Sequence, residues 1–481
     1  MNRDEQAALA TATMSAVGFE MANSTANRMQ AIRPSLCNFQ NSDAGNAERL
    51  HAMHGENLRH VTESGQWLVW NGRRWAPDAN GEVIRRFIGV MRDAARQAVD
   101  HTSHDAAQAL TKFALKSCDR ARIEAGVSLA KSIAGVSVSV NDLDADPMLI
   151  GTPDGCIDLR DGRPIEPRRD HLVTKSIGTS YDPAATCPTW DRFIATVTGG
   201  DTELAGYLQA VAGYALTGRV SEQCLFFLYG NGANGKGVFS ETLKRLSGDY
   251  GQAAPESLFM KDRNGAPTSD MARLAGCRMA IAAELDEGAS FAESRIKTLT
   301  GDDTITARLL YHEPFDFLPT HKFLISGNHK PTVKGADLGI WRRIRLVPFT
   351  VTIPDADRDP MLKEKLALEL PGILNWAIGG CLRWQRDGLR VPQCVKAATA
   401  AYRAEEDVIG QFLAENTEAA PLGRAGRAEL YQRFQGWAVG EGIKNPLKAK
   451  SFNRQVEERG IQSVKSTGIH VWLGINLVPN G

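Results

Sequence analysis

The residues best suited to chemistry form one run, Gly230-Asn231-Gly232-Ala233-Asn234-Gly235-Lys236-Gly237. An apolar stretch, residues 224–229, precedes it, and residues 238–246 follow with the apolar spacing of a helix. The order is strand, glycine-rich loop, helix. Such a loop curls so that successive N–H groups face phosphate oxygens, a lysine supplies a point charge, and the helix N-terminus adds its positive dipole end. A nucleoside triphosphate is the expected ligand. A plain turn between two elements would not need Lys236. Gly237 stands where this type of loop carries a Ser or Thr hydroxyl for magnesium, so Ser240, one helical turn on, or a water held by downstream carboxylates is the candidate substitute.

Three further clusters lie downstream at the ends of apolar runs. Residues 278–283 end at Glu284-Leu285-Asp286-Glu287, and period-two geometry puts Glu284 and Asp286 on one side, suited to holding Mg2+ and polarising water. Glu284 is the first choice. Residues 322–326 end at Gly327-Asn328, where an uncharged amide can sense a terminal phosphate without competing for the metal. Residues 339–345 carry Arg342 and Arg343, one of which can act as a finger on a neighbour's triphosphate, Arg343 ahead of Arg342. A solvated loop, an ordinary strand-end turn and a structural ion pair are the bland readings of the three clusters.

The elements that must position these groups imply an α/β chain of two to four domains, since 481 residues at 43% hydrophobic can bury several cores. Expected boundaries give a flexible leader over 1–48, an α+β domain over 49–188, a nucleotide core over 189–350, a helical extension over 351–416 and a compact unit over 417–481. In the second segment Trp67-Leu68-Val69-Trp70 and Arg73-Arg74-Trp75 read as a hairpin, its tryptophans more often core than base-stacking platforms. The last unit reads as helix, helix, hairpin, the order of a winged helix, with Lys444, Lys448, Lys450, Arg454 and Lys465 set against Glu457 and Glu458. Basic and acidic residues number 56 each, so any nucleic-acid binding must come from local patches. No apolar run is long enough to cross a bilayer, no signal pattern opens the chain, and eight scattered cysteines lack zinc spacing. A cytoplasmic location with free thiols is expected.

The ordered motifs GNGANGKG, AAELDEG, IKTLTGDDTITARLLYHEPFDF, FLISGNHKP and GIWRRIRLVPF resemble those of a superfamily 3 helicase. More narrowly they resemble the phage and plasmid primase-helicase family related to the poxvirus D5-type nucleoside triphosphatases, and the likeness extends over residues 49–481. It implies an AAA+-like P-loop core, ATP and Mg2+ as cofactors, and a ring, a hexamer, with ATP between subunits and a single DNA strand in the channel. It also implies a replication role in a phage, plasmid or integrated element within a bacterial host, and a primase or other replication proteins as partners. Residues 297–317 correspond to the family's extra hairpin, making Lys297, Arg308 and His312 candidates for DNA contact. Duplex DNA is a further candidate partner at the terminal unit.

Two departures matter. Only about 48 low-complexity residues precede the region of resemblance, with no evident primase domain among them, so primer synthesis is not claimed. Gly237 keeps a rival in view, an ATP-binding origin-recognition or assembly platform without helicase activity. A P-loop kinase is the other rival; it would need a lid and an acceptor pocket rather than Asn328 followed by Arg342-Arg343.

Overall fold

The computed structural model describes residues 34–479, apart from 102, 262–267, 283–287, 312, 334–337, 444–445 and 467. Two compact units divide the chain: residues up to 143 together with 168–174 form one, and 144–167 with 175 onward form the other. Residues 144–167 and 175–188, grouped with the preceding segment in the sequence, fall in the second unit.

The first unit contains α1 (Asp43–His54), β1 (Leu58–Val61), β2 (Trp67–Trp70), β3 (Trp75–Pro77), α2 (Glu82–Gln97), α3 (His104–Lys116), α4 (Arg120–Ala130) and β4 (Ser137–Val138). Its sheet runs β3-β2-β1-β4, with Trp70 opposite Trp75 across the hairpin. Trp75 is fully buried, its ring 4.5 Å from the Arg59 guanidinium and its indole N–H donated to the Arg169 carbonyl. Trp67 and Trp70 are half-buried, so the hairpin's aromatics serve largely as core. The expected leader needs correction for residues 34–48. Leu36, Ala47 and Leu50 enter the unit's core with Phe87 and Met91, and Arg49 is buried with its guanidinium donating to the carbonyls of Leu36, Phe39 and Gln40. Buried apolar contact and satisfied carbonyls hold this segment where composition alone suggested looseness.

The second unit opens with a small antiparallel sheet, β5 (Leu149–Thr152), β6 (Gly155–Asp158) and β7 (Arg163–Ile165), then α5 (Pro188–Val197) and α6 (Thr202–Leu216). There follow β8 (Leu225–Tyr229), α7 (Lys236–Ser247), β9 (Gly251–Ala253), α8 (Thr268–Ala272), β10 (Met279–Ala282), α9 (Glu293–Leu299), β11 (Ile305–Ala307), β12 (Phe315–Phe317), β13 (Lys322–Gly327), α10 (Leu338–Trp341) and β14 (Ile344–Pro348). A five-stranded sheet in the order β14-β8-β13-β10-β9 is parallel at every pairing. Parallel strands covered on both faces read as nearly continuous apolar runs, as β8 does. Its alternate residues serve two cores: Phe226 and Leu228 join the layer of α5 and α6, while Leu225 and Phe227 join the layer of Phe291 and Leu299.

At the end of the sheet away from the glycine-rich loop, two buried cations grip the end of α6. Arg278 donates to the Leu216 carbonyl at 2.7 Å, and the Lys322 amine donates to the carbonyls of Thr217 and Thr320. Burial holds the Lys322 amine well below its usual pKa. Carbonyls at a helix C-terminus carry partial negative charge and offset part of that cost.

Four helices continue the unit: α11 (Leu362–Leu368), α12 (Leu370–Asp387), α13 (Gln393–Glu406) and α14 (Val408–Asn416). Then come β15 (Thr417–Gly426), α15 (Arg427–Gly440), α16 (Ala449–Glu457), β16 (Ser463–Ser466) and β17 (Ile469–Leu477). The last three strands form an antiparallel sheet, β15-β17-β16, around Phe412, Phe434, Phe452 and Trp472. Among the described residues all eight cysteines are free, and burial pushes the Cys224 thiol up to about 12.

Candidate functional site

Strand β8 delivers the chain to Gly230, and the loop then turns back into α7 through three left-handed residues, Gly232, Ala233 and Gly235. Gly230 has no room for a side chain, since a Cβ there would lie 2.1 Å from the Phe349 carbonyl oxygen. Gly235 is constrained twice, by φ of +85° and by Val197 Cγ1 at 2.5 Å from a Cβ position. Asn234 is buried and donates its amide to the Phe349 carbonyl at 3.0 Å, fastening the loop to the segment after β14. Gly237 differs from its neighbours. It is exposed within α7, and a Cβ there would meet nothing within 4 Å.

Parallel register pairs Gly327 with Tyr229, so the residue after β13 lies beside the first residue of the loop. Asn328 and Lys236 meet there: the lysine amine donates to Asn328 Oδ1 at 3.0 Å, to Asn234 Oδ1 at 3.2 Å and to the Gly230 carbonyl. Lys236 is 5% exposed, which fixes its amine at the loop mouth. Ser240 is also buried, with its hydroxyl 3.0 Å from the Ser326 hydroxyl of β13. Ser326 has no counterpart in the sequence expectations. Its only advance signal was its place two residues before Asn328.

The carboxylates expected to serve metal and water, Glu284 and Asp286, lie outside the described residues, as does His312. Among the described residues no group of three His, Cys, Asp or Glu could hold a metal ion. The loop itself fits a polyphosphate, with backbone at the two glycines that admit no side chain and a buried ammonium at its mouth.

Arg342 and Arg343 immediately precede β14, whose first residue, Ile344, pairs with Leu225, the first residue of β8. Five strand residues separate that end from the loop, about 17 Å at the usual strand rise. Neither arginine serves the loop of its own chain. Sequence reasoning places Arg343 ahead of Arg342; exposure reverses that order. Arg343 is half-buried and donates to Thr300 Oγ1 at 3.1 Å and to the Gly339 carbonyl at 2.7 Å, whereas Arg342 is exposed and donates to Gln223 Oε1.

Lys297 lies half-buried on α9, and the turn at 301–303 joins that helix to β11 rather than forming a hairpin tip. The tip lies between the paired strands β11 and β12. Arg308 is exposed there, beside Leu310 at 70% and Tyr311 at 95% exposure, the latter with φ of +64°. A fully exposed tyrosine in the left-handed region went unnoticed in the sequence because only the fold shows that it occupies a turn.

Residues 47–199 match the family model described as D5 N terminal like, and residues 228–343 match a family of unknown function, DUF5906. The chain is 26% identical over 445 residues to the candidate helicase L207/L206 of Acanthamoeba polyphaga mimivirus, covering 82% of this chain and 45% of that protein. It is 28% identical over 268 residues to the candidate helicase 022R of Frog virus 3 (isolate Goorha), covering 51% and 27%. It is 22% identical over 307 residues to Primase D5 of Fowlpox virus (strain NVSL), covering 61% and 36%. The chain thus spans less than half the length of these relatives. Among solved structures it is similar to the apo C-terminal region of NrS-1, with a TM-score of 0.48 and 10% identity, covering 87% of this chain and 95% of that one. A mixed α/β protein with a parallel sheet and a glycine-rich strand-to-helix loop is the class defined here. Residues 47–199 and the relatives above make the chain similar to the D5-type primase-helicases.

Proposed function

We propose that this chain is a superfamily 3 DNA helicase that hydrolyses ATP at a P-loop core and acts in replication as a ring. The observation that carries the reading is the meeting of Lys236, Asn328 and the Gly230 carbonyl at one strand end. A triphosphate entering the loop would take over the lysine's bonds, and Asn328 would then face the terminal phosphate and the attacking water. Glu284 and Asp286 would hold Mg2+ and orient that water, while a guanidinium from a neighbour, Arg342 in preference to Arg343, would offset charge developing on the phosphoryl group. Relatives named as helicases and a primase support DNA as the substrate.

On this reading the hairpin tip contacts single-stranded DNA, with Arg308 on phosphate and Tyr311 stacking on a base. The terminal unit has the helix, strand, helix, helix, strand, strand order of a winged helix, and its α16 exposes Lys450 and Arg454 beside Lys448, suited to duplex backbone. Among the described residues no helix is long and apolar enough to cross a membrane. ATP-dependent displacement of a labelled strand from forked DNA tests the assignment; binding of ATP with no displacement and no turnover would favour the assembly platform instead. Gly237, which offers no hydroxyl for magnesium, is the one observation that favours that second reading.

A further inference from the structure

Past Asn328 the chain is fastened to the end of α13 at three points. Lys330 donates its amine to both carboxylate oxygens of Glu405, at 2.7 and 3.0 Å. The Tyr402 hydroxyl donates to the Pro331 carbonyl, and the Val333 backbone N–H donates to Glu406 Oε2 at 2.9 Å. Tyr402 and Glu405 stand three residues apart on the helix, so they share a face. Helix α13 is held in turn to β14 by Thr399, which accepts the Leu346 backbone N–H at 3.1 Å. Strands β13 and β14 flank β8 on its two sides. The exit of one neighbour of β8 is therefore tied through α13 to the other.

Lys330 reaches β8 itself as well. Its amine lies 5.0 Å from the ring centre of Tyr229, the last residue of β8 before the loop, and 5.6 Å from that of the fully buried Tyr402. A cation placed over two aromatic faces is attracted to both. The Lys330 side chain is 18% exposed and that of Glu405 57%. An ion pair with so exposed a carboxylate adds little stability, whereas carboxylate and rings together fix where the amine sits. Its donors are directed at Glu405, while the loop's own lysine, Lys236, bonds Gly230, Asn234 and Asn328. Resting on the hydrolase assignment above, we propose that Lys330 is a positioning residue for ATP hydrolysis. Braced between Tyr229, Tyr402 and Glu405, it holds the turn after β13 against the end of β8, so that the Asn328 amide keeps its place 3.0 Å from the Lys236 amine. A displacement of about 1 Å in a reacting geometry costs about a hundredfold, so a loosened brace slows the chemical step and leaves binding by the loop intact.

Full-length variants test this, with turnover measured at saturating ATP and Mg2+. In Lys330→Met, which keeps a straight side chain without its charge, kcat should fall about tenfold or more while affinity for a fluorescent ATP analogue stays within about twofold. In the Asn328→Ala background the same replacement should change kcat by less than about twofold, because a brace acts only through the amide it holds. Glu405→Gln, a change to an exposed carboxylate, should lower kcat in the same direction with affinity unchanged, and it decides the matter if Lys330→Met melts early. Equal losses from Lys330→Met with and without Asn328, a loss of nucleotide affinity in place of kcat, or wild-type kcat in whichever of the two variants is folded overturns the proposal. Wild-type kcat in folded Lys330→Met beside an inactive Lys236→Ala removes the brace alone, whereas wild-type turnover by Lys236→Ala removes the hydrolase assignment.

Discussion

Two glycines two residues apart should respond to alanine in opposite ways. At Gly235 the backbone has φ of +85°, where an L-residue costs about 1–2 kcal/mol. The new methyl would lie 2.5 Å from Val197 Cγ1 and 3.0 Å from Phe193 Cε2, and such overpacking costs about 1–3 kcal/mol. Both neighbours are buried on α5, so the loop rather than the helix must move. The combined strain, about 2–5 kcal/mol, should therefore appear as nucleotide affinity weakened about 30-fold or more. At Gly237 the backbone is helical and a methyl would touch nothing, so Gly237→Ala should leave affinity within about twofold and stabilise α7 by about 0.5 kcal/mol. Titration with a fluorescent ATP analogue, paired with thermal melts, reads both quantities. Equal losses at the two positions, or none at Gly235, would refute the loop geometry on which the site depends.

Acid should destabilise the second unit through His321, whose ring nitrogen bonds the Leu299 carbonyl and whose burial lowers its pKa from 6.5 to about 4. Because the folded value lies below the unfolded one, the neutral ring's contribution is complete above pH 6.5 and disappears as pH falls through 4. That gap corresponds to about 3 kcal/mol, so urea midpoints should drop between pH 7 and pH 4.5 and the drop should shrink in His321→Phe; an unchanged slope would count against it. At the hairpin tip, Tyr311→Ala should weaken oligo(dT) binding by about 1–3 kcal/mol without changing the melting temperature, as measured by anisotropy; equal affinity would remove the stacking role. In the terminal unit, replacing Lys448, Lys450 and Arg454 with alanine should flatten the salt dependence of duplex binding by about three phosphate contacts, and an unaltered slope would point to a protein-facing role.

Much of the parallel sheet was legible because β8, β10 and β13 are short apolar runs ended by chemically distinctive residues, and burial on both faces leaves little else that such runs can be. The meeting of Lys236 with Asn328 could not be read, because it depends on β13 rather than β10 lying next to β8, and strand order is a tertiary fact. Strand β15 was hidden for a different reason. Its sequence, TEAAPLGRAG, has a single β-branched residue and a proline, yet pairing with β17 across an irregularity between Ala419 and Arg424 makes it a strand. Residues 104–130 form two helices, α3 and α4, with Ser117 closing the first and Asp119 standing before the second. The order of Arg342 and Arg343 rested on adjacency to an apolar strand, which says nothing about which guanidinium turns back into its own chain.

Phosphate release from ATP and Mg2+, with and without single-stranded DNA, measures the central claim most directly when wild type is set against Lys236→Ala. The account predicts turnover stimulated by DNA in the wild-type chain and abolished in the folded variant. Phosphate release from Lys236→Ala equal to wild type, or none from the wild-type chain under any condition, would contradict it.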